Sequence, residues 1–120
     1  MNSEQIVKNL QRYFNAKIIG SYIFVEKGML KIDDINDIDV IVHPDNIENV
    51  YKYLEDFGYK QTIRMRDGDF EKKNELRIDV VKSVKNVFSV ATLIAEKFKR
   101  GSETDIEQLL KIMKQKYIKI

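Results

Sequence analysis

Three aspartates carry the chemistry that this sequence suggests. Asp37 and Asp39 stand one residue apart at the start of the apolar run N-D-I-D-V-I-V (36–42), and Asp79 interrupts L-R-I-D-V-V (76–81). In a β-strand alternate side chains share a face, so Asp37, Asp39 and Ile41 would point one way and Ile38, Val40 and Val42 the other. Two carboxylates on one strand face are roughly 6.6 Å apart at their Cα atoms, close enough to repel unless a cation lies between them. In the second run Arg77, Asp79 and Val81 alternate with Leu76, Ile78 and Val80, and an unpaired carboxylate at such a position is costly to bury. If the two strands are neighbours, three carboxylates converge, which is the oxygen-ligand chemistry of Mg²⁺ or Mn²⁺. The bland alternatives are a strand-entry cap and a surface acid for Asp37 and Asp39, and an ion pair with Arg77 or Arg64 for Asp79.

A fourth signal is the Gly20-Ser21 pair. Glycine lets backbone approach a ligand closely, and a serine with backbone N–H groups at a helix start suits phosphate. A simple turn with a helix cap would look the same.

The elements that must position these groups can be read from periodicity. Residues 3–14 place Ile6, Leu10, Tyr13 and Phe14 at helical spacing, with Asn2 or Ser3 as N-cap. Residues 17–19 form a short β-branched strand, 22–30 a largely buried helix, 31–36 a loop and 37–42 the strand that carries the first two acids. Asp45 with Glu48 reads as a capping box opening a helix whose stripe is Ile47, Val50, Tyr51, Leu54 and Phe57, closed by Gly58. Residues 59–65, 70–72 and 76–81 read as strands, with a turn at Arg66-Asp67-Gly68-Asp69. Helices are expected over 90–99 and 103–117. The second is capped by Ser102 with Asp105 three residues on, and its apolar side is Ile106, Leu109, Leu110 and Met113.

Composition limits the remaining choices. A chain of 120 residues with 43% apolar content suits one domain over 1–120, built as an α+β fold with a mixed sheet flanked by helices. The net charge of +2 is too small to indicate nucleic acid or an anionic membrane, although it does not exclude RNA as an acceptor. With no cysteine and one histidine, His43, thiolate chemistry and a histidine-rich metal site are excluded. The polar start Asn2-Ser3-Glu4 and the lack of a run of roughly 20 apolar residues make a cytoplasmic location the expectation.

Taken in order, Ile19-Gly20-Ser21, Asp37-Ile38-Asp39 and Ile78-Asp79-Val80 resemble the motifs of the nucleotidyltransferase superfamily related to DNA polymerase β, and the likeness covers nearly the whole chain. The resemblance implies a palm-like nucleotidyltransferase fold in which Gly20 and Ser21 contact the phosphates of a nucleoside triphosphate. Asp37, Asp39 and Asp79 would then hold Mg²⁺ or Mn²⁺, and Asp79 would assist deprotonation of the acceptor hydroxyl. A-E-K-F-K-R (95–100) followed by Asp105 looks like the last motif of the AbiEii-type branch, which includes toxins of toxin-antitoxin systems. By that likeness Lys97 and Asp105 lie near the nucleotide. The fifteen residues between Ser21 and Asp37 are a longer spacing than the family usually shows. The chain also lacks an obvious separate acceptor domain, so a partner protein or a second copy is a natural expectation. Two functions follow: transfer of a nucleoside monophosphate to an acceptor hydroxyl, or a catalytically silent nucleotide-binding or toxin-antitoxin-type interaction module of the same fold.

Overall fold

The computed structural model describes residues 1–62, 68–83 and 98–117. The expectations for Arg64, for the 63–65 end of a strand, for most of the 90–99 helix and for Lys97 fall outside the described residues. Among the described residues the fold is α+β, with a five-stranded mixed sheet, four α-helices of defined bounds and a helical stretch at 98–100. The helices are α1 (Ser3–Phe14), α2 (Tyr22–Glu26), α3 (Ile47–Asp56) and α4 (Glu103–Tyr117). The strands are β1 (Lys17–Ile19), β2 (Asp37–Val42), β3 (Lys60–Gln61), β4 (Asp69–Glu71) and β5 (Arg77–Lys82). They lie in the order β1-β2-β5-β4-β3. Only β2 and β5 run parallel; the other pairs are antiparallel. No helix among the described residues is long and apolar enough to cross a membrane.

The sheet has one apolar and one polar face because its strands alternate. Ile18, Ile38, Val40, Val42, Phe70, Ile78 and Val80 are buried in one cluster with Ile6, Val7 and Leu10 of α1 and Val50 and Leu54 of α3. Fully burying each aliphatic side chain contributes roughly 1.5–3 kcal/mol, so this layer is what holds the sheet flat against its helices. The helices α1 and α3 also touch directly, with the Phe14 and Tyr53 rings edge to face at 5.5 Å and Asn9 donating to the Tyr53 hydroxyl at 2.9 Å. Of the two cap candidates, Asn2 rather than Ser3 caps α1, in a complete capping box with Gln5.

Apart from shifted strand ends, with β3 reduced to Lys60–Gln61 among the described residues and β4 and β5 displaced by one residue, four details depart from the sequence reading. The helix expected over 22–30 stops at Glu26, because Gly28 turns the chain back and the Met29 and Leu30 N–H groups both donate to the Phe24 carbonyl. The capping box expected of Asp45 and Glu48 does not form: a 3₁₀ turn, Pro44–Asn46, precedes α3, and the His43 ring nitrogen accepts from the Asp45 N–H. Asp69 belongs to β4 and is buried, instead of closing a turn. Finally α4 is rotated by one residue. It buries Asp105, Gln108, Leu109 and Ile112, while Ile106, Leu110 and Met113 are exposed.

Gly68 lets β4 approach β5. Its φ is +101°, its carbonyl accepts from the Val80 N–H at 2.8 Å, and a Cβ there would lie 2.3 Å from the Val80 carbonyl oxygen. Gly68→Ala is therefore expected to lower unfolding stability by about 3 kcal/mol or more, combining backbone strain with a forced shift of β5. Chemical denaturation checks this, and a loss below about 1 kcal/mol would show that the strand crossing is not tight.

Candidate active site

The polar face of the sheet carries the acids. Parallel pairing of β2 with β5 sets Asp37 opposite Arg77 and Asp39 opposite Asp79, and opposed residues in a ladder point to the same side. Carboxylate oxygens of Asp37, Asp39 and Asp79 all lie within 4.8 Å of one another. The sequence therefore foresaw a convergence that the structure makes.

The cation already among them is Arg77. Its Nε donates to Asp79 Oδ1 at 2.9 Å, and its Nη2 donates to Asp37 Oδ2 at 2.8 Å and to Asp79 Oδ2 at 3.2 Å. Arg77 is two residues before Asp79 and thus on the same strand face, which makes this fork a consequence of the strand's period. Both the metal reading and the ion-pair reading of Asp79 thus find their partner groups in place.

One guanidinium faces three carboxylates, so the cluster keeps a negative excess, and its most buried member responds. Asp79 is only 1% exposed. Burial pushes its carboxyl up to about 8; the hydrogen bond with Asp37 and the charges of Asp37 and Asp39 act in the same direction, and Arg77 opposes them. Arg77 is held more firmly in its charged form, chiefly by its hydrogen bond to Asp79. These two directions pull Asp79 oppositely, and burial beside two other acids outweighs one shared guanidinium.

The donor set suits a hard divalent cation. Three carboxylates converging from two neighbouring strands offer oxygen ligands, and Asp37, Asp39 and Asp79 are the residues that would hold such an ion.

The Gly20-Ser21 turn lies against this cluster. Gly20 has φ +71°, and a Cβ on it would be 2.7 Å from Asp39 Oδ2. Only a residue without a side chain lets β1 turn so close to the carboxylate. Ser21 occupies the N-cap position of α2 but makes no side-chain cap. Its hydroxyl donates instead to Gln108 Oε1 of α4 at 3.1 Å. With five residues, α2 contributes little dipole, so the turn's own backbone is what a phosphate would meet.

Gln108 is a residue that sequence reasoning missed. It is buried, its Nε2 donates to the Asp34 carbonyl at 3.1 Å, and it ties α4 to both the Ser21 turn and the segment leading into β2. Lys111 pairs with the Asp34 carboxylate one turn farther on. Asp105 lies on the same face of α4, one turn before Gln108. It accepts from Ser102 Oγ at 2.6 Å and Arg100 Nη2 at 3.1 Å, and it stands outside the acidic cluster. Asp69 also escaped notice. It pairs with Asp79 across β4 and β5, which places a fourth acid on the polar face. The strand alternation of Asp69 and Glu71 was the available signal, masked by the turn-like R-D-G-D run.

No family model, curated protein or solved structure matches this chain.

The raised Asp79 carboxyl gives a pH test. The unfolded chain releases this proton near 3.8, whereas the folded protein holds it to about 8. Between those values the folded state binds more protons, so its stability falls as pH rises. Unfolding by denaturant with chelator present should thus show lower stability at pH 8 than at pH 5, and Asp79→Asn should remove most of that difference. A slope unchanged by the substitution would assign it to another group.

Proposed function

We propose that this protein is a metal-dependent nucleotidyltransferase with a polymerase β palm-like fold, moving a nucleoside monophosphate from a nucleoside triphosphate to an acceptor hydroxyl. One observation carries the reading: the backbone of Gly20 abuts Asp39, so the turn suited to phosphate and the three-carboxylate cluster form one continuous site. Either feature alone would be commonplace; their contact is what transfer chemistry requires.

A divalent cation bound there would neutralise triphosphate charge and lower the pKa of the attacking hydroxyl. The chain's own residues do the rest. Asp37 and Asp39 fix the ligand geometry from one strand, and the Gly20-Ser21 turn positions the phosphates that leave as pyrophosphate. Asp79, once ionised, takes the acceptor's proton as the acceptor oxygen bonds to the α-phosphorus and the bond to pyrophosphate breaks. Arg77 orients Asp37 and Asp79 by bridging them. Holding these groups in place before reaction is the larger part of such catalysis.

A second reading has a specific observation in its favour. Arg77 already compensates two of the acids, as it would in a silent nucleotide-binding module of the same fold. The two readings separate by turnover. With ATP and Mg²⁺, the first expects a rise in melting temperature and release of pyrophosphate; the second expects the rise alone. Asp37→Asn should reduce pyrophosphate release by at least about a hundredfold while leaving the circular dichroism spectrum unchanged. Wild-type turnover in that variant would remove the assignment.

A further inference from the structure

The polar face continues past the acids, and its far side forms a groove. Alternation puts Lys60 of β3, Glu71 of β4 and Arg77 of β5 on the same side as Asp37 and Asp79. Register pairs Lys60 with Glu71 and Asp37 with Arg77, and two residues along from the Asp69–Asp79 pair Glu71 comes beside Arg77. A row of alternating charge, Asp37, Arg77, Glu71 and Lys60, therefore crosses four strands. A cavity of about 470 Å³ opens along it, lined by Asn36, Lys60, Thr62, Lys72, Lys73 and Arg77 together with Glu71 and Glu75.

The balance of this lining is cationic. With Arg77 committed to Asp37 and Asp79, three lysines face two acids, and one of those acids is turned elsewhere, since Glu75 accepts the Ser3 N–H at the start of α1 at 2.9 Å. Glu71 is flanked in register by Lys60 and Arg77. Lys72 bonds the Met1 carbonyl and sits over the Tyr59 ring, whereas Lys60 and Lys73 are exposed at the rim.

Sheet order decides what such a groove could serve. The Gly20-Ser21 turn follows β1 on one side of the acids, and the groove lies over β5, β4 and β3 on the other. In phosphoryl transfer the attacking and leaving oxygens are roughly in line. With pyrophosphate held at the β1 side, the attacking hydroxyl must come from the β4–β3 side.

We propose that this groove is the acceptor subsite and that it takes a small hydroxyl compound bearing a phosphate monoester. The inference rests on the nucleotidyl-transfer reading. The cavity's volume matches a small molecule, and the exposed ammonium groups of Lys60 and Lys73 at its rim match a phosphate dianion. Lys60 and Lys73 hold the phosphate at the rim, and Arg77, which lines the groove and bonds Asp79, joins it to the acids where the acceptor hydroxyl meets Asp79.

The test follows backbone amides of the full chain by ¹H–¹⁵N NMR as glycerol 3-phosphate is added, with glycerol and a short oligoribonucleotide as separate titrants. Glycerol 3-phosphate should shift Lys60, Thr62, Glu71 and Lys73 saturably. Lys60→Glu/Lys73→Glu, which changes only exposed side chains, should weaken that binding by at least about fivefold. An equal response to glycerol, an affinity unchanged in the double variant, or preference for the oligoribonucleotide would overturn the assignment, as would shifts confined to Gly20 and Ser21. A separate titration with ATP and Mg²⁺ isolates the underlying reading. Failure to move Gly20, Ser21 and the three aspartates would sink nucleotidyl transfer and leave the groove as an anion site; success there with a silent groove would sink the acceptor subsite alone.

Discussion

Mutual repulsion among carboxylates brought together by one parallel strand pair is the constraint that organises this protein. In the β2–β5 register, Asp39 faces Asp79 and Asp37 faces Arg77. Like charges directly opposed across a ladder are destabilising, and burying one of them adds a desolvation penalty. The apolar face of the same strands offsets this: Ile38, Val40, Ile78 and Val80 are buried in the core, so β2 and β5 cannot slip without exposing their entire apolar side. The register that optimises the core is thus the register that crowds the acids.

Arg77 and protonation of Asp79 are two responses to that crowding, and they act on the same oxygens. The guanidinium gives directional hydrogen bonds to Asp37 and Asp79 but leaves the set with excess negative charge. Either a proton or a divalent cation relieves the remainder.

The parts around the cluster are tied to it by few polar contacts. Gly20 brings β1 against Asp39, and Gln108 links the Ser21 hydroxyl to the Asp34 carbonyl through α4. Substituting either partner of such a buried pair leaves the other without its hydrogen bond, typically about 1–3 kcal/mol. The orientation of α4 follows from these ties. Two stripes on that helix have the same spacing, Asp105-Gln108-Leu109-Ile112 and Ile106-Leu109-Leu110-Met113, offset by one residue. The first is buried because its polar members have partners on the body of the protein.

By itself the sequence determined what short-range rules can fix: the α+β class, the start of α1 with a cap at Asn2 or Ser3, the bounds of β1 and β2, and the alternation that puts Asp37 with Asp39 and Arg77 with Asp79. Each follows from backbone periodicity or a local hydrogen bond within a few residues. Tertiary structure alone decided that β2 and β5 are neighbours and parallel, that Asp69 enters a strand beside Asp79, and that Gln108 reaches Ser21 across 87 positions. It also decided which of two equivalent stripes α4 buries. Those outcomes depend on which distant surfaces exclude water together, and a linear pattern of residues carries no record of its partner.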